Sequence, residues 1–299
     1  MRLILLTAVA MLAFAANSVL NRWAVGQGWI GPMGFAYVRL LAGAAILALI
    51  LAARLLVRRE VVWPRGWPIL FGVVGLLLYL LGFSLAYLDL DAGTGALVLF
   101  GFVQITMFAG AVLAGERIPA ARWLGAALAL AGLTVLAAPT FQAADRSLAM
   151  VEMAVAGIGW GTYSLAGRKQ GDAQAATAVN FLLAVPVMAL LYHAQLSFVD
   201  FMLEDEETAN LAWGLALAVL SGAVTSGLGY ALWYAILPRL GTARAAVAQL
   251  TVPVIAALGG AVLLAELPGP RFWLAAGLVL GGVALANLPY SGLTRRSSQ

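Results

Sequence analysis

Apolar stretches of about 20 residues alternate along the chain with short segments that hold most of its charges and prolines. A helix needs about 20 apolar residues to cross roughly 30 Å of hydrocarbon. A barrel would show alternating segments of about ten residues, and the chain lacks them. The pattern predicts an all-α integral membrane protein with ten transmembrane helices, at residues 3–23, 32–55, 67–88, 92–114, 121–139, 148–167, 174–193, 210–236, 241–264 and 271–289.

The two halves of the chain repeat one another. The segment GERIPAARWLG at 115–125 returns as AELPGPRFWLA at 265–275, and Gly132 matches Gly282 at the same offset of 150. Because each half holds five helices, an odd number, the second half must enter the membrane from the opposite side. We therefore expect an inverted five-plus-five repeat with units 1–140 and 146–290 and a cytoplasmic tail at 291–299, an organisation typical of secondary transporters.

Composition and charge place the chain in a membrane and orient it there. With 63% hydrophobic and 10% charged residues, it cannot supply the surface of a soluble domain. Thirteen of the 17 Lys and Arg residues fall in loops that share a side with the N-terminus, whereas three fall in the opposite loops. The positive-inside rule then predicts that both termini lie in the cytoplasm. A signal peptide at 1–16 is the alternative, although the apolar stretch runs past its cleavage site.

The basic residues cluster between spans, which argues for lipid rather than nucleic acid as the partner. Cysteine is absent and His193 is the only histidine, so the sequence predicts no metal site and no cofactor. No phosphate-binding loop is present, which excludes direct ATP drive. No carboxylate lies near the middle of a span, so a facilitative mechanism is the simplest prediction.

The sequence combines five-plus-five helices with the pairs Gly115-Glu116 and Ala265-Glu266, Pro253 in helix 9 and the segment GWGTYSL at 159–165. In these features it resembles the drug/metabolite transporter superfamily. The most similar branch is that of ten-helix bacterial exporters of aromatic and other neutral amino acids. The resemblance implies a central cavity lined mainly by helices 1, 3, 4, 6, 8 and 9. Smaller members of that superfamily carry a glutamate in helix 1 for proton-coupled antiport, where this chain has Asn17 and Asn21.

Matching aromatic stripes suggest what such a cavity would bind. Tyr79, Phe83 and Tyr87 recur every four residues on helix 3 and so share one face. Helix 8 repeats the stripe at Tyr230 and Tyr234, with an offset of 147. The predicted substrate-binding residues are Asn17, Asn21, Tyr79, Phe83, Tyr87, Gln104, Trp160, Tyr163, Ser164, Tyr230, Tyr234 and Gln249.

Each candidate has an alternative role. Tyr87 and Tyr234 could belong to an interfacial aromatic belt. The asparagines, the glutamines and Ser164 could join neighbouring helices by hydrogen bonds. A chamber with aromatic, uncharged walls suits a small zwitterion. The predicted function is therefore secondary export of small neutral amino-acid-like metabolites, including aromatic amino acids, by alternating access. A monomer is a plausible state of the protein.

Charged residues inside or beside the spans have separate interpretations. Arg39 could attract a substrate carboxylate, but the suspected family places helix 2 at the periphery, which favours a structural or access role with the side chain reaching toward the interface. Asp89 and Asp91 are expected to cap helix 4, and Glu116 and Glu266 to anchor loops. Remaining alternatives are a proton-coupled exporter of drugs or other metabolites, an intramembrane enzyme and a channel-like subunit.

Overall fold

The computed structural model describes residues 1–57, 60–115, 119–137, 144–199, 210–240 and 248–286. The expectations for Glu116 and for the tail at 291–299 lie outside these ranges. Within them the chain is helical and contains no strand. The ten helices are α1 (Arg2–Gly26), α2 (Pro32–Leu56), α3 (Trp67–Ala86), α4 (Ala92–Leu113), α5 (Ala120–Ala137), α6 (Ala144–Gly167), α7 (Ala173–Val199), α8 (Leu211–Leu240), α9 (Thr251–Leu264) and α10 (Pro270–Ala286).

Several of these helices are built to lie in lipid. Helices α1 to α4, α7 and α8 are long and apolar enough to cross a membrane, and α5, α9 and α10 contain shorter apolar stretches. In α6 the charge of Glu152 and the small or polar residues of GIGWGTYS lower the mean hydropathy. Large apolar side chains such as Ile4, Leu49, Leu190 and Val262 are exposed on the bundle, as expected of a surface that contacts acyl chains.

Glycines let pairs of helices approach closely. A Cβ added at Gly75 of α3 would lie 2.6 Å from the carbonyl oxygen of Gly159 in α6. Between α5 and α10 a Cβ at Gly132 would lie 2.8 Å from the oxygen of Ala275, and one at Gly282 would lie 2.5 Å from the oxygen of Gly125. Small residues at such contacts allow backbone packing where lipid supplies no hydrophobic drive.

Polar contacts define the two ends of the bundle. At the Arg22 end, Arg22 of α1 forms an ion pair of 2.7 Å with Glu266, in the segment between α9 and α10, and donates to the carbonyl oxygen of Leu88 at 2.6 Å. At the Arg54 end, Arg54 of α2 forms an ion pair of 2.6 Å with Asp172, which precedes α7.

Helices α2 and α7 run antiparallel. The C-terminal part of α2 meets the start of α7 through Arg54 and Asp172. At the opposite end the rings of Tyr37 and Tyr192, near the start of α2 and toward the end of α7, have centroids 5.4 Å apart. The polypeptide therefore leaves α2 at one end of the bundle and approaches the end of α7 at the other.

The prediction that an aspartate side chain caps α4 is wrong, because a different carboxylate makes the capping hydrogen bond. Asp91 occupies the N-cap position, but its side chain makes no capping hydrogen bond. Glu266 takes that role, because its Oε2 accepts a hydrogen bond of 2.8 Å from the backbone N–H of Ala92. A carboxylate distant in sequence thus satisfies the partial positive charge at the start of α4.

Candidate functional site

A small cavity lies in the interior of the bundle, where five helices meet. Its volume is about 20 Å³. A space of that size holds about one water molecule, so it is too small for an amino acid in this conformation. The lining residues come from α1, α3, α4, α6 and α8 and are Phe14, Asn17, Ser18, Tyr79, Phe83, Leu99, Phe100, Trp160 and Tyr230.

Trp160 is the centre of the aromatic wall. Its ring centroid lies 4.9 Å from that of Tyr79 and 5.2 Å from that of Tyr230. Tyr79 in turn contacts Phe83 at 5.2 Å, as the four-residue spacing on α3 predicts. These separations fall in the range in which aromatic pairs attract one another beyond the effect of buried area. Three helices, α3, α6 and α8, are joined through this wall.

Arg39 lies beside this wall, and the expectation that it reaches outward from a peripheral helix is wrong. Its side chain is fully buried at 0% exposure. Nε donates to Ser226 Oγ at 3.1 Å and Nη2 donates to the hydroxyl of Tyr79 at 2.7 Å. The guanidinium carbon lies 5.1 Å from the ring centroid of Tyr79 and 5.0 Å from that of Phe83. Helix α2 turns this residue inward because α3, α7 and α8 all pack on it.

An unusual segment of α8 supplies hydroxyl groups that bind Arg39 and Asn17. Residues Ser221–Leu228 form a π-helix within the longer helix. Asn17 Oδ1 accepts hydrogen bonds from Ser221 at 2.8 Å and from Thr225 at 2.6 Å. Insertions of this kind are frequent at functional sites, since they re-aim side chains within a helix. Here the wider turn presents hydroxyl groups to both α1 and α2.

Seven of the predicted residues do not line this cavity. Tyr163 donates to Thr177 Oγ1 at 2.9 Å and Ser164 donates to the carbonyl oxygen of Trp160 at 2.7 Å. Asn21 donates to Ser84 Oγ at 2.8 Å, and Tyr87 is fully buried with its hydroxyl 3.3 Å from the carbonyl oxygen of Ala92. The hydrogen bonds of Tyr163 and Asn21 join neighbouring helices, that of Tyr87 lies in the turn before α4, and that of Ser164 stays within α6. The remaining three are partly buried and stand apart from the lining: Gln104, Tyr234 and Gln249.

Four lining residues are not among the predicted substrate-binding residues: Phe14, Ser18, Leu99 and Phe100. Phe14 precedes Asn17 by three positions and so shares its face of α1, a signal that could have identified it. Its ring lies 5.7 Å from that of Tyr230. Leu99 and Phe100 sit in a uniformly apolar helix, where no pattern separates cavity-facing from lipid-facing positions.

The cavity lies between two polar networks. The Arg22 network joins Arg22, Glu266 and the turn between α3 and α4, where Arg22 donates to the carbonyl oxygens of Tyr87 and Leu88. The Arg54 network joins α2 to the start of α7, with Arg54 donating to both carboxylate oxygens of Asp172 at 3.2 and 2.6 Å. Such two-point pairs are geometrically specific. Each network holds together elements from both halves of the chain.

Burial and hydrogen bonding act in opposite directions on Asp172. Partial burial raises the pKa of this carboxyl group, whereas hydrogen bonds from Arg54 and from the backbone N–H of Ala175 lower it. The lowering effects together prevail, and the pKa of Asp172 lies below its ordinary value of 3.8. The pair with Arg54 therefore stays charged at any pH above that ordinary value.

Comparison with known proteins gives a consistent picture. Residues 1–138 and 147–288 match the family described as "EamA-like transporter family". An uncharacterized protein of Pseudomonas aeruginosa is 44% identical over 99% of this chain and 98% of its own length. A solved crystal structure with 21% identity superposes with a TM-score of 0.61 over 93% of this chain and 97% of its own, which concerns the fold alone.

Two further relatives have names that state a function. A protein of Streptantibioticus cattleyicolor named "Probable terminal-alkyne amino-acid exporter" is 27% identical over 92% of this chain and 90% of its own. A protein of Salmonella typhimurium named "Probable amino-acid metabolite efflux pump" is 29% identical over 81% of each chain. Both names describe export, and both mention amino acids.

Proposed function

Because the chain belongs to the EamA-like transporter family of the drug/metabolite transporter superfamily, we propose that it is a secondary exporter of small neutral amino-acid-like metabolites, including aromatic amino acids. The proteins of this family are transporters rather than enzymes. The proposed mechanism is facilitative: solute moves down its own gradient from cytoplasm to periplasm. The amino-acid part of the proposal draws on the names of the Streptantibioticus and Salmonella relatives.

The single observation that carries the proposal is the aromatic-walled cavity between the two polar networks. Its rings provide apolar faces for a side chain and negative π faces for an ammonium group. Its lining residues are uncharged, which suits a solute that is neutral overall. Since the cavity now has room for about one water molecule, the helices must separate before a solute is admitted, as alternating access requires.

The inverted repeat is part of the same proposal. The family match in two stretches supports units at 1–140 and 146–290. Contacts between α5 and α10 support it too, because Gly132 packs on Ala275 while Gly282 packs on Gly125. The repeat offset of 150 relates Gly132 to Gly282 and Gly125 to Ala275, so the two contacts are equivalent in the two units. The antiparallel course of α2 and α7 agrees with opposite orientations of the two units.

The proposed setting is the bacterial inner membrane with both termini in the cytoplasm. On that topology the Arg22 end faces the periplasm and the Arg54 end faces the cytoplasm. Lipid surrounds the bundle, and nothing in the proposal requires a second protein chain.

Flux from proteoliposomes tests the proposal. Vesicles containing the purified protein are loaded with radiolabelled Phe, Thr or Met, and efflux is compared with that from protein-free vesicles. We expect faster, saturable efflux that unlabelled Phe on the opposite side accelerates by exchange. Equal rates with and without protein would contradict the substrate assignment, and a rate that never saturates would favour a channel.

Proton-coupled export of drugs or other metabolites is the alternative mechanism, and the same vesicles address it. A pH gradient imposed without a solute gradient is expected to drive no accumulation. Uphill uptake under that gradient would show coupling and would replace the facilitative mechanism.

A further inference from the structure

We propose that Arg39 binds the carboxylate of the transported solute, so that this exporter selects molecules with a free carboxylate. This inference rests on the proposed function, because it assigns a recognition group within the same site. The hydrogen bonds of Arg39 are incomplete. Nε and Nη2 have partners in Ser226 and Tyr79, whereas the buried Nη1 has no hydrogen-bond partner among the described residues.

The charge of Arg39 is also unbalanced. The side chain is fully buried, and no carboxylate among the described residues lies within ion-pair distance of it. A buried cation is costly unless an anion and hydrogen bonds compensate it. The nearby hydroxyl groups and ring faces carry no net negative charge. A carboxylate that arrives with the solute would supply the missing charge and accept the free N–H group.

The position of Arg39 fits such a role. Its guanidinium packs at 5.1 and 5.0 Å from the rings of Tyr79 and Phe83, and both of these residues line the central cavity. One aromatic layer therefore separates the cation from the cavity. When the cavity widens to admit a solute, displacement of the Tyr79 ring would bring Nη1 to its edge.

The chemistry of the two groups is complementary. A guanidinium presents its N–H groups in a planar fork that matches both oxygens of a carboxylate. The ammonium group of an amino acid would then lie toward the faces of Trp160 and Tyr230, which attract cations. This arrangement separates the two charges of the zwitterion along the cavity. It also makes the carboxylate, rather than the side chain, the most discriminating part of the solute.

Arg39 has a purely structural alternative, since its hydrogen bonds already join α2 to α3 and α8. The two roles predict different specificity. A structural clamp affects every solute alike, because it acts on the bundle. A carboxylate ligand affects only solutes that carry the carboxylate.

The test compares substrate analogues in wild-type proteoliposomes. Efflux of labelled Phe is measured against unlabelled Phe, 3-phenylpropionate, which keeps only the carboxylate, and phenylalaninamide, which keeps only the ammonium group. We expect the amide to compete at least about tenfold more weakly than Phe, because an ionic hydrogen bond is lost. We also expect 3-phenylpropionate to compete better than the amide. Equal competition by Phe and its amide would overturn the role of Arg39 while labelled Phe efflux still upheld the proposed function.

Variants extend the test. R39M is expected to abolish the preference for Phe over phenylalaninamide, and R39K to retain part of it. The matched control Y79F removes one hydrogen-bond partner of Arg39 without removing its charge, and should keep the preference even if its rate falls. Retention of the preference in R39M would overturn the inference, as would its loss in Y79F to the same extent. Should R39M fail to fold, R39K decides: a preference weaker than that of the wild type supports the inference, and an unchanged preference contradicts it.

Discussion

Trp160 is the residue on which the aromatic wall depends most. Its ring contacts those of Tyr79, Tyr163 and Tyr230, which come from α3, α6 and α8. It also lines the cavity directly. Because an indole ring offers a larger π face than any other side chain, it is the strongest candidate for the surface that contacts an aromatic solute.

Replacement of Trp160 by Leu is expected to weaken export of Phe more than export of Thr. Loss of one aromatic contact costs about 0.5–1.5 kcal/mol, which corresponds to a rise in the KM for Phe of about 2- to 12-fold. Efflux kinetics with both solutes in proteoliposomes measure the difference. The control is Trp123→Leu, because Trp123 is 56% exposed on α5 and contacts Phe108 rather than the cavity. Parallel losses for Phe and Thr in W160L would mean that Trp160 only supports packing.

Single residues differ in how far the sequence predicts them. Tyr79, Phe83 and Tyr230 could be placed because stripes on two matching helices pointed to a shared face, and all three line the cavity. Arg39 was misplaced because the face that α2 turns inward depends on neighbours that no local pattern reveals. Asn21 and Tyr163 are of the same residue types as Asn17 and Tyr79 in the cavity lining, yet their hydrogen bonds go to Ser84 and Thr177 outside it.

At the scale of elements, the π segment of α8 has the largest influence on the site. It contributes Ser221 and Thr225 to Asn17, and Ser226 to Arg39. Gly222 in the same segment lies against the backbone of α2, where an added Cβ would overlap the carbonyl oxygen of Arg39. The close approach of α2 and α8 thus depends on a residue without a side chain.

Substitution of Gly222 by Ala is expected to push α2 and α8 apart and to destabilise the bundle. Overpacking of this kind costs roughly 1–3 kcal/mol, and it should displace Arg39 as well. Thermal unfolding in detergent reports the stability, and Phe efflux reports the site. Gly281→Ala in α10 is the matched control, because no atom of the described residues lies within 4 Å of its Cβ position. A G222A protein as stable and active as G281A would show that the helices tolerate a wider spacing.

Helix positions could be predicted from apolar length, but their local distortions and caps could not. Hydropathy placed helix 8 at 210–236, and the structure has it at Leu211–Leu240. The π segment within it consists mainly of small residues and residues with hydroxyl groups, which an ordinary membrane helix accommodates equally well. The cap of α4 was assigned to Asp91 because it is adjacent in sequence, whereas Glu266 lies 174 residues from its partner Ala92.

At the scale of the molecule, the two polar networks lie at opposite ends of the bundle. The Arg22 network gathers α1, the turn between α3 and α4, and the segment after α9. The Arg54 network gathers α2 and the start of α7. If access alternates, then opening at one end requires that network to separate while the other holds. Weakening either network should therefore shift the population toward the conformation open at that end.

Protonation does not supply such a shift at the Arg54 end under ordinary conditions. The pKa of Asp172 lies below its ordinary value of 3.8. A carboxylate whose pKa is lowered by folding stabilises the folded protein above that ordinary value, and the stabilisation is lost as the pH falls through the lowered pKa. Between about pH 5 and pH 8 the charges of Asp172 and Arg54 therefore do not change.

Substitutions that neutralise a carboxylate weaken a network without a change of pH. Thiol labelling then measures whether the cavity becomes accessible from that end. The chain has no cysteine, so a Cys introduced at the cavity residue Ser18 reports solvent access on its own. In Glu266→Gln we expect faster labelling of S18C by a membrane-impermeant reagent from the Arg22 end, and in Asp172→Asn from the Arg54 end. Right-side-out and inverted vesicles distinguish the two directions.

Asp91→Asn is the matched control for this labelling experiment. Asp91 pairs with Arg146 at 3.7 Å, and both side chains are about half exposed. Such a pair contributes about 0–1 kcal/mol, so its loss should leave the labelling of S18C unchanged. If E266Q and D172N both increased labelling from one side only, the two networks would not close opposite ends of the pathway. Alternating access between them would then have to be abandoned, even if the protein still exported amino acids.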